Sequence, residues 1–262
     1  DSMLQDVRYA IRALRRQPTF ATAVVLTLGL AVGANLTVFS LVDAIFFRPP
    51  PGVLDPSSVR RLYDVKPSLA GIVVGKPVGD HFSYAEYRSI RDATRGVARV
   101  AIDLPIDSVD VGFGGATTIA GVSYASAELL PMLGVRIARG RAFSESDDDV
   151  NSPAPVAIVS ERFAKRVFAD SVDPLNATIR VRNTLLRVVG VVAASFSGID
   201  MSATSVWIPF SNFAQPNPGD PRPWYERRDV YIRLVARLLP GQSAGALAAR
   251  ATIGYARQHD PK

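Results

Sequence analysis

The sequence has no cysteine, which removes disulfide bridges, thiolate zinc sites and cysteine nucleophiles from consideration. Histidine is nearly as scarce. His81 and His259 are the only two, too far apart for a short-spaced metal motif. Charge of one sign is nowhere concentrated enough to read nucleic acid. The formal net charge is +6 over 262 residues, and beyond residue 17 the basic side chains are mixed with acids throughout. The phosphate-loop motif is also missing. Gly71-Ile-Val-Val-Gly75-Lys76-Pro77 is one residue short, and proline stands where the magnesium-binding hydroxyl belongs. Gly112-Phe-Gly114-Gly115 lacks the third glycine of a dinucleotide fingerprint and reads as a turn. Asp147, Asp149 and Asn151 open like a calcium loop. Ser152 then replaces its glycine and Ile158 its bidentate glutamate, so the run reads as a solvated acidic loop. No Gly-x-Ser-x-Gly elbow occurs, and His81 reads as a surface loop residue. These absences leave no catalytic residue, metal site or cofactor site to nominate.

What is present begins at Gln17. From there to Val42 no residue is charged, and Phe20, Leu26, Leu28, Leu30, Leu36, Phe39 and Leu41 make a run long enough to span a bilayer. Upstream, Arg8, Arg12, Arg15 and Arg16 stand against Asp1 and Asp6, which places the N-terminus in the cytoplasm and the bulk of the chain outside it. A cleaved signal peptide with small residues at Ala31-Val32-Gly33 is the rival. The apolar pattern continues through Phe39, Leu41, Val42, Ile45 and Phe47, which favours an uncleaved anchor. Leu4, Val7, Ile11 and Leu14 recur at helical spacing before the span. Residues 1–17 are therefore expected to form an amphipathic helix at the interface, with Arg8, Arg12, Arg15 and Arg16 toward anionic lipid. An ordinary helix against a cytoplasmic domain is the alternative. Gly29-Leu-Ala-Val-Gly33 is a G-x-x-x-G that would let a second helix approach closely.

Beyond Arg48-Pro-Pro-Pro-Gly52, a stiff connector, strands and helices alternate without a strict βαβ repeat, which predicts α+β. Strands are expected over 59–65, 97–102, 106–113, 117–123, 155–160, 178–182, 185–192, 206–209 and 229–238. The 178–182 and 185–192 pair should turn at Asn183-Thr184. Ser83-Tyr-Ala-Glu86 is a capping box for a helix carrying Tyr87 and Ile90. Ser160 caps another with Phe163, Ala164, Val167 and Phe168, a short helix runs from Ser126 to Leu133, and Ser243 opens a closing one.

Met3-Leu-Gln-Asp-Val-Arg-Tyr-Ala, Leu28-Gly-Leu-Ala-Val-Gly-Ala-Asn35, Leu129-Leu-Pro-Met-Leu-Gly134, Gly140-Arg-Ala-Phe143, Val156-Ala-Ile-Val-Ser160, Val206-Trp-Ile-Pro209 and Arg237-Leu-Leu-Pro-Gly241 follow in order. Together they resemble the MacB-like, FtsX-related ABC transporter permeases of bacteria. The resemblance implies residues 1–17 as a cytoplasmic helix, 18–47 as a transmembrane helix and 48–262 as a two-lobed periplasmic core in the inner membrane. Residues 53–115 and 225–262 would form a porter-like lobe, and 116–224 an inserted one. It implies a separate ATPase subunit that binds ATP, a permease homodimer or paralogous half, and mechanical rather than enzymatic work. Three further spans of that family have no counterpart here, so the chain is expected to be the N-terminal part of a permease. Asn176 stands where the family has glycine, and asparagine should tolerate the left-handed turn. A single-span extracytoplasmic sensor or binding module is the alternative.

Overall fold

The computed structural model describes residues 17–43, 50–65, 78–168, 172–213 and 220–259, and the chain divides after Arg48 into two compact units. The first unit holds one long helix, α1 (Pro18–Val42). Proline at its first position costs nothing, because that N–H has no helical partner anyway. The hydroxyls of Thr22, Thr27 and Thr37 donate back to the carbonyls of Pro18, Ala23 and Gly33, so the helix conceals its own polar groups. Phe20, Leu26, Leu30, Leu36 and Phe39 are all more than half exposed, and mean hydropathy over the apolar stretch is 1.9. The helix is long and apolar enough to cross a membrane.

The second unit is built on one path of strands that partly closes on itself. Its elements are β1 (Val59–Arg61), β2 (Asp64–Val65), β3 (Val78–Gly79), α2 (Tyr84–Ala93), β4 (Ala98–Phe113), β5 (Ala116–Ala125) and the single turn α3 (Leu129–Met132). Then come β6 (Ile137–Gly140), β7 (Val156–Ser160), α4 (Glu161–Phe168), β8 (Thr178–Val181), β9 (Thr184–Val192), β10 (Val206–Pro209), β11 (Leu234–Leu238) and α5 (Ala244–Ala256). Hydrogen bonding joins β4–β5–β10–β7–β9–β8 and returns from β8 to β4, a ring of six strands. Every one of these strands sends side chains into one apolar cluster. Val109, Val122, Ile208, Val159, Val188 and Ile179 are among them, and α4 adds Phe163 and Phe168. The β5–β10 and β7–β9 pairs are parallel and the rest antiparallel.

Two long strands reach out of the ring. The first half of β4, Ala98–Ile102, pairs with β11, which pairs in turn with β1, giving a short three-stranded sheet. The C-terminal end of β9 also carries β6. On one face of the short sheet α2 and α5 pack over Val100, Ile102, Leu234 and Ala236. Gly254 of α5 lies so near Ile90 and Ser89 that a side chain there would clash with α2, and the Ser89 hydroxyl donates to the Gly254 carbonyl at 2.6 Å. The opposite face, through Ala101 and Val235, meets α3, the outer face of the ring at Ile158 and Trp207, and Phe196 from the loop after β9. That is why Val156–Ser160 is buried along its full length: alternate residues serve two different cores.

Several expectations change in detail. Residues 59–65 split into β1 and β2, and residues 98–113 form one continuous β4 whose register slips between Ile106 and Val109, with Ser108 at φ 58°. The β8–β9 turn is Arg182-Asn183 rather than Asn183-Thr184. Val181 pairs with Thr184, and Arg182 takes the positive φ of 51°. The last strand begins at Leu234, with only an isolated bridge from Ile232 to Phe82 before it. Asn176 adopts φ 65°, the left-handed geometry expected of it. Gly114 and Gly115 both have positive φ and close the β4–β5 hairpin, so the glycine-rich stretch is a turn. The capping box at Ser83–Glu86 and the caps at Ser160 and Ser243 form.

Candidate functional site

A cleft of about 780 Å³ is lined from one side by α2 and the start of β4, and from the other by α3 and residues 143–150. Its position follows from a mismatch of strand lengths. β5 begins pairing with β4 only at Asp103, because Ser126 bonds Ile102 and then turns the chain away into α3, so from Ala98 to Val100 no strand pairs with β4 on that side. The α2 wall presents Tyr84 and Tyr87. Tyr84 contacts Trp224 with ring centroids 5.3 Å apart and lies parallel to Phe210 at 6.3 Å.

Polar groups line the facing wall. The Tyr87 hydroxyl donates to Glu128 Oε1 at 3.0 Å and accepts from Arg91 at 3.3 Å, while the Arg91 guanidinium lies 5.2 Å from the Tyr87 ring centre. Burial, then the nearby Glu128 charge, pushes the Tyr87 hydroxyl far above its ordinary value, so it stays a neutral donor. Asp148 accepts from the backbone N–H of Ser211 at 2.7 Å and of Ala127 at 3.1 Å, which ties three segments together at one carboxylate. Desolvation outweighs these bonds and raises its pKa to about 6. Next to it Asp147 behaves oppositely. The Arg141 fork grips both its oxygens, at 2.5 and 3.1 Å, and holds its pKa down to about 2. The acidic run is therefore not the solvated loop its composition suggests. Asp147 is 6% exposed, and Asp148 is a bridge between segments.

A second polar cluster sits on the short sheet. Asp103, 5% exposed, accepts from the Ser123 hydroxyl at 2.6 Å, and burial raises its pKa to about 6. Asp200 bridges Arg61 at 2.5 Å and Arg233 at 3.4 Å, and Arg233 also pairs with Asp80 at 3.0 Å. His81 stands 3.2 Å from Asp80 and edge-on to Tyr231. Among the described residues no group of His, Asp and Glu is arranged to hold a metal ion.

Of the residues nominated from sequence, Arg8, Arg12, Arg15 and Arg16 lie outside the described residues, as does the Gly71–Pro77 stretch. Gly29 and Gly33 sit four residues apart on one face of α1, and nothing approaches within 4 Å of where a side chain would begin at either. The cleft residues were not nominated. The capping box located Tyr84 and Tyr87, but the contact from Tyr87 to Glu128 crosses 41 residues and has no local signature.

Comparison with known proteins agrees with this architecture. The sequence matches the MacB-like periplasmic core domain over residues 21–252. The macrolide export ATP-binding/permease protein MacB of Shewanella sp. (strain ANA-3) is 24% identical over 227 residues, which is 80% of this chain and 32% of that protein. The MacB protein of Burkholderia pseudomallei (strain K96243) is 31% identical over 91 residues, 34% of this chain and 14% of that one. The chain thus spans a third or less of the curated relatives it matches. In fold it is similar to the periplasmic region of MacB from Actinobacillus actinomycetemcomitans, with TM-score 0.55 and 14% identity over 79% of this chain and 86% of that one. It is also similar to the extracellular domain of the noncanonic ABC-type transporter YknZ from Gram-positive bacteria, with TM-score 0.52 and 16% identity over 78% and 96%. An apolar helix followed by this mixed core, matched from residue 21 to residue 252, makes the chain a member of the MacB-like periplasmic core domain family of ABC transporter permeases.

Proposed function

We propose that this chain is the N-terminal part of a permease subunit whose core lies outside the cytoplasmic membrane and passes on motion driven by a separate ATPase. The observation that carries this reading is β4. One hydrogen-bonded strand belongs both to the helix-covered sheet and to the six-stranded ring, so a displacement of either end is felt by both. We take the two lobes to meet inside β4, near Ile102 and Asp103, rather than after Gly115. The uncharged α1 serves as the anchor, Arg8, Arg12, Arg15 and Arg16 keep the N-terminus at the cytoplasmic lipid surface, and Gly29 and Gly33 give a second span or a second copy room to approach. The work is mechanical rather than catalytic, with ATP bound on the partner subunit.

The absence of cysteine makes the test clean. Spin labels placed through Arg95→Cys and Glu145→Cys face each other across the cleft. With the permease assembled on its ATPase, trapping the ATP-bound state should shift their distance distribution, and an unchanged distribution would remove the relay. A reporter fused after Lys262 should be active outside the cytoplasm and silent within it.

A further inference from the structure

Residues 193–205, between β9 and β10, connect two strands of the ring but are fastened to both parts of the core. On the ring side the Ser205 N–H donates to the Gly121 carbonyl and the Ser160 N–H to the Ser205 carbonyl, both at 2.8 Å. The Ser202 hydroxyl donates to Asp107, in the bulge of β4, at 3.2 Å. On the other side Phe196 packs with Ala101 and Val235 of the short sheet. Asp200 bridges Arg61 of β1 at 2.5 Å and Arg233, just before β11, at 3.4 Å, and all three side chains are partly buried. The segment is a strap across the passage of β4 from one part to the other.

Asp103 is the residue of β4 at that passage. Its N–H donates to the Arg233 carbonyl on the sheet side, and across the ring it pairs with Ala125 of β5. The charged groups that act on its buried carboxyl are Asp200 of the strap, Arg61 of β1 and Arg233, while β5 offers it the Ser123 hydroxyl. One step further out, Asp80 holds Arg233 at 3.0 Å and His81 stands 3.2 Å from Asp80. With Asp103 neutral, two arginines face two carboxylates, Asp200 and Asp80. An ionised Asp103 is a third carboxylate, which competes for the same arginines and repels Asp200.

We propose that ionisation of Asp103 releases the strap, so that the short sheet and the ring are locked together in acid and hinge at β4 as the surroundings become neutral. The sign follows from linkage. In the strapped state burial, and then the Asp200 charge, raises the Asp103 pKa to about 6 against the pull of Ser123 and the two arginines. Lifting the strap hydrates the carboxyl and takes the Asp200 charge away, and both changes lower the pKa toward its ordinary value. The proton therefore favours the strapped state, and rising pH favours release. A locked core moves as one body, whereas a released one lets the sheet turn without the ring; this consequence for transmission rests on the relay reading above.

The test uses the whole chain in lipid nanodiscs with a spin label at Met201→Cys, a strap position that is 80% exposed in a chain without other cysteines. The label should be immobile at about pH 5 and mobile at about pH 7.5, with a midpoint near pH 6. Asp103→Asn should hold it immobile throughout, and Asp200→Asn should leave it mobile throughout. Ser123→Ala removes the bond that favours the ionised carboxyl and should raise the midpoint by about half a pH unit or more. His81→Gln should change nothing. A mobility that ignores pH, a transition that survives Asp103→Asn, or an unmoved midpoint in Ser123→Ala overturns the proposal, and the last decides alone if Asp103→Asn fails to fold. Loss of the transition in His81→Gln also overturns it, because the switch would then be the His81–Asp80 pair. No ATPase is needed for these readings, so failure of the strap leaves the relay standing, and failure of the relay leaves the strap.

Discussion

The six-stranded ring and the three-stranded sheet beside it solve the problem of strand edges in opposite ways. In the ring every strand has a neighbour on both sides and the interior is filled by aliphatic side chains and the buried rings of Phe163 and Phe168, with Phe113 and Tyr124 packed against them. The sheet of β1, β11 and β4 is open, covered by helices on one face, and its titratable groups crowd the uncovered edge and the second face. Closure removes edges and leaves nothing to bind with. The short sheet instead has its edge closed by side chains, and polar groups such as Asp148 tie the surrounding segments in place.

Damage to the ring should therefore be the most severe. Gly190 in β9 lies directly beneath the Arg141 carbonyl, where any side chain collides, and Ile158 crowds it from the other side. Gly190→Asp adds a buried unpaired charge to that collision and should cost more than about 3 kcal/mol, read as loss of cooperative unfolding by circular dichroism. A variant as stable as its parent would show that β9 tolerates displacement of β6 and Arg141 from its outer edge.

Phe163→Ala comes next. Its ring is 1% exposed within the six-strand cluster, and truncation should cost about 3–5 kcal/mol, measured as a lowered denaturation midpoint. A loss below about 1 kcal/mol would mean that the cavity collapses, making the ring less rigid than its closure implies.

Asp148 tests the open side. Asp148→Ala strands the N–H groups of Ser211 and Ala127 and should cost about 1–3 kcal/mol, less than the ring variants and far more than a surface aspartate. The same residue sets a pH dependence. Asp148 and Asp103 have folded pKa values raised to about 6 from 3.8, so the stability they contribute is fully present below 3.8 and lost as pH rises through about 6. Asp147 works in reverse: lowered to about 2, its contribution is present above 3.8 and lost as pH falls toward 2. The melting temperature should peak between about pH 4 and 5, with the fall above pH 5 made shallower by Asp148→Asn. A flat profile from pH 4 to 7 would show that neither carboxylate is held as described.

The smallest effect should come from Tyr87→Phe. The ring stays in place and only the bonds to Glu128 and Arg91 go, costing about 1 kcal/mol. A larger loss would extend the comparison, since it would make the cleft's polar wall part of the core.

What could be read from the sequence divides along the same line. Periodic or continuous apolar runs announced α1, β7, β9 and the core face of α4, and Ser83-Tyr-Ala-Glu86 placed the start of α2, because burial and capping are local signals. The acidic run at Asp147–Asp149 misled, since nothing near it in sequence shows that Ser211, 63 residues on, brings a backbone N–H to Asp148. The turn shifted from Asn183-Thr184 to Arg182-Asn183 because the register with β9, rather than turn propensity, chose which residue takes positive φ. The cleft itself was invisible: it exists because β5 ends before β4 does, and strand ends in different parts of the chain are not compared by any local pattern.

The order in which the chain is made bears on β4. Its partner β11 is the last strand among the described residues, so from Phe113 to Leu238 another 125 residues must be synthesised before Ala98–Ile102 can pair with it. At ordinary elongation rates that takes roughly 6 to 25 seconds, during which Val100 and Ile102 have neither β11 nor α5 to cover them. Newborn chains caught in that interval carry an apolar strand with both edges bare, the form most prone to pairing with another chain. Completion of the short sheet thus waits on residues 234–256, and a holdase that covers β4 until β11 emerges should raise the yield of folded domain.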